Sequence, residues 1–380
     1  MFSLGENPAA QVKTALLKES ETEGGDDAAR PRNRNDASAA KGSNTMISSM
    51  ISRRALGKLL AATSALGLMS APALAQEVTI RLATVNPPTG ESFIMAEEAA
   101  ERVTERTEGR VQFQLFPSAQ LGSTTDSIEQ ASQGQPVMTF TSASFLAGFG
   151  VPELAIVEGP FIVENTEEAE RLAFSDLMMG YYDDLAQAAG IRVVALNWFD
   201  GPRHMIGNAG YPHPDDLEGV RMRVPPVETW IKTFEPLDVL ATTVEAAEVY
   251  SALSQGVVSA AEAPLTGLRA SGWQEVAKHI TLTGHFNLFL GWVMSEETYQ
   301  ALSEEDRAIL MEEFRVGGQD LTALSKGLED EVRAEFEEQG VTFHEADVQA
   351  YRDQTASFYT SFPDWPEGLY DRVRAAATGE

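Results

Sequence analysis

The chain has 380 residues, 43% hydrophobic and 22% charged, enough apolar mass for one large domain or two ordinary ones. Its 57 acidic residues against 28 Lys and Arg give a formal net charge of -29, a surface that repels nucleic acid and anionic lipid and argues against both as partners. The absence of cysteine excludes structural disulfides, thiolate zinc sites, cysteine nucleophiles and a lipid-bearing cysteine anchor.

Residues 1–45 form a leading extension, polar and low in complexity from Glu19 to Thr45, a composition expected to stay disordered. Met46 is a candidate start. Ser52-Arg53-Arg54-Ala55-Leu56-Gly57-Lys58 then carries three positive charges, followed by an apolar run from Leu59 to Leu68 and by Ala73-Leu74-Ala75. A charged head, a short apolar stretch and a small-x-small site predict a secretory signal over 46–75. The run is too short to span a membrane. The mature chain is expected to begin at Gln76, exported by either the general or the twin-arginine route.

From Gln76 onward short apolar strands alternate with amphipathic helices, the pattern of an α/β fold. Strands are expected at Val78 to Leu82, Val111 to Leu115, Val137 to Thr141, Ile191 to Leu196, Arg221 to Val224 and Val257 to Ala260. A helix is expected from Ser92 to Glu108, stopped by Gly109. Asn165-x-x-Glu168 and Ser303-x-x-Asp306 read as helix N-caps. The second opens a long helix to about Glu338, interrupted at Gly317-Gly318 and ended by Gly340. A helix of that length exceeds the width of one domain and is expected to bridge two.

In so acidic a chain the few arginines carry particular weight. Arg221 and Arg223 share a face of their short strand, and Arg223 stands at its C-terminal end just before Pro225. Ligands of open α/β sheets sit beyond such strand ends, and a guanidinium there can hold a carboxylate by two parallel hydrogen bonds. Spacing alone equally allows a surface strand with ordinary arginines. His204, His213, His279, His285 and His344 show no metal-ligand spacing, and no Gly-x-Ser-x-Gly elbow or phosphate loop occurs. These absences weigh against a periplasmic hydrolase. We expect no cofactor and a monomeric chain.

Arg223-Val224-Pro225 is followed by Glu248-Val249-Tyr250-Ser251-Ala252-Leu253, Gly256-Val257-Val258 and Ala261-Glu262-Ala263-Pro264. Together with Phe116-Pro117-Ser118-Ala119-Gln120-Leu121-Gly122 and Gly159-Pro160-Phe161, this pattern resembles the substrate-binding subunits of tripartite ATP-independent periplasmic (TRAP) transporters, the dicarboxylate-binding-protein family. The resemblance covers Gln76 to Glu380. It implies two α/β domains joined by a hinge and a long bridging helix, 76–200 plus about 289–328 and 201–288 plus about 329–380. It implies a periplasmic protein that takes up a small organic anion and delivers it to the membrane permease subunits. A ligand-binding sensor with the same pocket is the alternative.

The resemblance also implies site residues. Arg223 would pair the substrate carboxylate, and Arg203, in Asp200-Gly201-Pro202-Arg203, matches a second family arginine whose other role is an interdomain ion pair. Asn86 follows the first strand at a position that often meets ligand, although an Asx-turn explains it equally well. Ser142 and Ser144 would donate from the opposite domain or cap the following turn. Glu262 would orient an arginine or bind ligand hydroxyls. Trp198, Trp230 and Phe289 are candidate stacking surfaces, with a core role the alternative. Ala263 stands where many members have asparagine, and Ala246 where an aromatic often stands. Glu245 adds a negative charge, which suits a hydroxyl- or amine-bearing substrate better than a bare diacid.

Overall fold

The computed structural model describes residues 77–380. The expected extension, signal and cleavage site lie outside the described residues. In chain order the strands are β1 (Val78–Ala83), β2 (Val111–Phe116), β3 (Val137–Ser142), β4 (Ile191–Ala195), β5 (Arg203–Gly207) and β6 (Arg221–Val224). They continue as β7 (Leu240–Thr243), β8 (Ala260–Ala263), β9 (His279–Phe286), β10 (Leu290–Ser295) and β11 (Thr342–Glu345).

These build two mixed sheets. The first has the order β2-β1-β3-β10-β4, with β1 parallel to β2 and β3, and β10 antiparallel to both its neighbours. The second has the order β11-β9-β5-β8-β6-β7. Parallel neighbours need crossover connections, and helices supply them. The helix Glu91–Arg106 joins β1 to β2, and its Phe93, Ala96, Ala99, Ala100 and Val103 make a buried stripe at helical spacing. The helix Thr124–Ser132, capped by Ser123 and Asp126 in reciprocal hydrogen bonds, joins β2 to β3.

The chain passes from the first sheet to the second after β4 and returns between β9 and β10. The two crossing segments touch, since the Trp198 N–H donates to the Leu290 carbonyl at 3.0 Å. A third connection is the helix Glu304–Glu338, 35 residues long and so about 50 Å at 1.5 Å per residue. Ser303 caps its start through the Asp306 N–H. It packs on Glu91–Arg106 beside the first sheet and on Leu265–Ser271 beside the second. Near the end of the chain, Val348–Thr355 lies against β9, whereas Leu369–Thr378 packs back on Thr166–Ala173 beside the first sheet.

Two expectations are corrected. The long helix runs through Gly317-Gly318 without a break. A Cβ at 317 would lie 2.9 Å from the Trp198 ring, and one at 318 would lie 2.6 Å from Asn197 Oδ1. These glycines serve close packing of the helix on the crossing segment, not its interruption. The strand expected at Val257 to Ala260 is instead β8, three residues later. Gly256 turns at φ +69° after the helix Val249–Ser254, and residues 257–259 are spent reaching the sheet, where Met222 pairs with Ala260. The sequence of β8, Ala-Ala-Glu-Ala, has no strand preference of its own, so its place between β5 and β6 decides its conformation.

Candidate functional site

The C-terminal end of β6 and the start of β5 face the first sheet across a cleft. Two adjoining hollows of about 170 and 150 Å³ share Val85, Asn86, Asp200, Arg203, Arg223 and Ala246. A larger cavity of about 520 Å³ adjoins the second hollow, sharing Phe145 and Pro226 with it, and is lined further by Ser144 and Phe362 to Trp365. It presents Glu129, Glu228 and Asp364 but no cationic side chain, so size does not make it the better site for an anion.

The two arginines of the cleft differ in what holds them. Arg203 leads β5, and Glu262 sits on the adjacent strand β8. Arg203 Nε donates to Glu262 Oε2 at 2.5 Å and Nη2 to Oε1 at 2.9 Å, with a further bond from Nη2 to the Glu262 carbonyl at 2.9 Å. Trp230 Nε1 donates to the same carboxylate at 2.9 Å, and His285 Nε2 lies 3.7 Å from it. Burial opposes the charge on Glu262, but Arg203 and these hydrogen bonds outweigh it and bring its pKa down to about 2. Burial likewise works against the Arg203 charge, and Glu262 turns the balance upward. The ion pair is complete within one sheet.

Arg223 is 5% exposed, yet only its Nε is engaged, donating to the Val244 carbonyl at 2.9 Å. Among the described residues its two terminal nitrogens have no protein acceptor, and they border both hollows. Burial lowers its pKa to about 10, with Glu262 pulling the other way, so it stays charged at neutral pH. Arg221, two residues back on the same strand, is exposed and donates to the Gly256 carbonyl at 2.9 Å.

The other expected residues divide. Asn86 lines the cleft and donates from Nδ2 to Ser92 Oγ at 2.8 Å. Trp230 and the exposed Glu245 line it too, as do Ala246 and Ala263. Ser142 reaches the cleft wall, but its hydroxyl is taken by the buried Glu158, to which it donates at 2.9 Å. The Ala143 and Ser144 N–H groups donate to Glu158 as well, at 3.0 and 3.2 Å. Ser144 borders the larger cavity instead of the cleft. Trp198 and Phe289 are fully buried. Trp198 packs among Phe140, Trp292 and Phe314 and donates to the Phe314 carbonyl, while Phe289 meets Phe199 edge-on. Both are core, and neither offers a face to the cleft.

The sequence pattern does not mark Glu158 or Asp200 as site residues. Among the described residues Glu158 has no cation in contact with it, and burial pushes its pKa up to about 7 despite its three hydrogen bonds. Asp200 lies on the crossing segment, lines the cleft, and has a buried Oδ1 without a partner among the described residues. Burial raises its pKa to about 6, partly offset by Arg203. Its adjacency to Gly201-Pro202-Arg203 was the available signal. Glu91, on the first-sheet side of the cleft, is bound by Arg269 from the helix Leu265–Ser271.

The cleft thus offers an unpaired guanidinium at a strand end inside a two-sheet fold. Residues 82–363 match the model of bacterial extracellular solute-binding protein family 7. The sialic acid-binding periplasmic protein SiaP of Vibrio cholerae is 26% identical over 267 residues, 70% of this chain and 83% of that one. A TRAP periplasmic solute-binding protein of Fusobacterium nucleatum, solved with bound sn-glycerol-3-phosphate, superposes with a TM-score of 0.76 at 28% identity, covering 79% of this chain and 97% of that one. One of Ochrobactrum anthropi, solved with L-fuconate, gives 0.76 at 28%, covering 79% and 99%. The chain belongs to family 7 of the bacterial extracellular solute-binding proteins and has the fold of the TRAP solute-binding proteins.

Proposed function

We propose that this family member captures a carboxylate-bearing organic anion in the cleft and delivers it to the permease subunits of a TRAP transporter. The observation that carries this reading is Arg223: a nearly buried cation, charged at neutral pH, whose terminal nitrogens have no acceptor among the described residues. Leaving a buried charge unpaired is costly, and an incoming carboxylate would relieve that cost with two parallel hydrogen bonds. Glu262 already neutralises Arg203, so Arg203 shapes the floor of the site while Arg223 pairs the ligand. Asn86, Trp230 and Glu245 line the remaining walls. Ligands named for the relatives, sialic acid, sn-glycerol-3-phosphate and L-fuconate, support an acidic solute. No group in the cleft is assigned a catalytic role.

The protein acts in the periplasm after cleavage following Ala75. The segments 76–200 with about 289–328 and the final helix, and 201–288 with about 329–368, act as two lobes that close on the ligand about the crossing segments and the long helix. The final helix, Leu369–Thr378, travels with the first lobe, on which it packs.

A thermal-shift screen over organic anions tests the function. A ligand at 100 times its dissociation constant adds roughly 2.7 kcal/mol to the folded state, a readily visible shift. No shift with any carboxylate, sugar acid or phosphate ester would sink the reading. Small-angle scattering should also show a smaller radius of gyration at saturation, and an unchanged profile would remove the hinge.

A further inference from the structure

We propose that Asp200 is the acceptor for a hydroxyl group of the ligand, so that the cleft selects hydroxy acids over bare mono- and dicarboxylates. This inference rests on the anion-binding reading above and specifies its substrate class.

The charges of the cleft lead there by subtraction. Glu262 is consumed by Arg203 and Trp230. Glu91 is consumed by Arg269. Arg223, Asp200 and the exposed Glu245 are left, and of these Arg223 and Asp200 border both hollows of the cleft, whereas Glu245 borders one. The needs of Arg223 and Asp200 are opposite. The terminal nitrogens of Arg223 can only donate, and the orphaned Oδ1 of Asp200 can only accept while ionised. A bare dicarboxylate satisfies the first and sets a second negative charge near Asp200 and Glu245. A hydroxy acid satisfies both, because its carboxylate accepts from Arg223 and its hydroxyl donates to the Asp200 carboxylate. The two groups reach the cleft from different places, Arg223 from the end of β6 and Asp200 from the crossing segment that precedes β5. Pairing both with one ligand therefore fixes its orientation.

The walls agree with a ligand that carries several hydroxyls. Ala246 and Ala263 are small, so neither an aromatic ring nor an amide from these positions fills the space. Thr266 donates its hydroxyl to the Asp200 carbonyl and lines the same hollow, which anchors the Asp200 backbone from the second-sheet side. Unpaired buried polar groups are what let a site reject an analogue that lacks one hydroxyl.

The test is calorimetry on the full mature chain, wild type, Asp200→Ala and Asp200→Asn, with six-carbon acids: gluconate, galactonate, mannonate, hexanoate and adipate. The wild type should prefer its best aldonate to hexanoate and adipate by tenfold or more. Asp200→Ala should weaken that aldonate about 10- to 100-fold, as for loss of a hydrogen bond to a charged group, while leaving hexanoate unchanged and improving adipate. Asp200→Asn, which keeps an acceptor oxygen, should recover part of the aldonate affinity and confirms that the variants fold. An aldonate-to-hexanoate ratio that is the same within threefold in wild type and Asp200→Ala overturns the proposal, as does a wild type that prefers adipate. If none of the five acids binds the wild type while the anion screen finds another ligand, this proposal is overturned and the anion-binding reading stands; if the screen also finds none, both fail.

Discussion

The cleft holds two arginines from neighbouring parts of one sheet, and they occupy different electrostatic states. Arg203, at the start of β5, is locked to Glu262 by a two-pronged pair that also draws in Trp230. Arg223, at the end of β6, has one bond to a backbone carbonyl and two idle nitrogens facing open space. The difference teaches that a buried cation belongs to the structure when the chain supplies its anion, and points to a ligand when it does not. Exposure does not separate them. Partners do.

The largest way to break this contrast is Glu262→Gln, which frees Arg203 at the cost of an uncompensated buried charge. Removing one partner of such a pair costs about 3–5 kcal/mol, so urea unfolding should show a loss of that size. A loss under 1 kcal/mol would mean that Arg203 is better solvated than its surroundings indicate.

Arg223→Ala should act on the other quantity. Truncating one partner of a desolvated ligand pair costs roughly 2–5 kcal/mol, about a 30- to 5,000-fold loss of affinity at ~1.4 kcal/mol per decade. Folding stability should move by no more than about 1 kcal/mol, the scale of its single bond to Val244. Arg223→Lys should recover part of the binding, because it keeps the charge and loses the fork. Binding within threefold of wild type in a folded Arg223→Ala would remove Arg223 from the site.

A pH series sharpens the same lesson through two buried glutamates. Glu262 is held near 2 in the folded chain against an ordinary 4.5. Its contribution is present above pH 4.5 and is lost as pH falls toward 2. Glu158 has neutral donors only and is raised to about 7. Its contribution is fully present below pH 4.5 and is lost as pH rises through 7, on the order of 3 kcal/mol in all. Glu158→Gln should therefore flatten the neutral-side slope of the stability curve, leaving the share of Asp200, and Glu262→Gln should reduce the acid-side slope, leaving the share of the other paired carboxylates. A neutral-side slope unchanged in Glu158→Gln would show that its carboxyl is solvated.

The smallest effect belongs to Arg221→Ala. This exposed side chain touches the Gly256 carbonyl and nothing in the cleft. Both affinity and stability should change by less than about 0.5 kcal/mol, and a tenfold loss of binding would move the anion site along β6.

Much of this was legible in the residues. Alternation at Val78 and Val111, the helix between them, the Ser303 and Asn165 caps and the length of the helix Glu304–Glu338 are local properties, set by side-chain period and backbone capping, and they reappear in the structure. The placing of Arg223 at a strand end before Pro225 was equally local. Tertiary structure decided what depends on neighbours distant in sequence. Ala-Ala-Glu-Ala became a strand because β5 and β6 flank it, and Gly317-Gly318 became a contact because Asn197 and Trp198 press there. Trp198 and Phe289 became core, since an aromatic ring carries no mark of which side of a sheet it will face. The pairing of Arg203 with Glu262, 59 residues away, and the orphaned oxygen of Asp200 belong to this second kind, because charge neutralisation is a property of distance in space, which no spacing along the chain encodes.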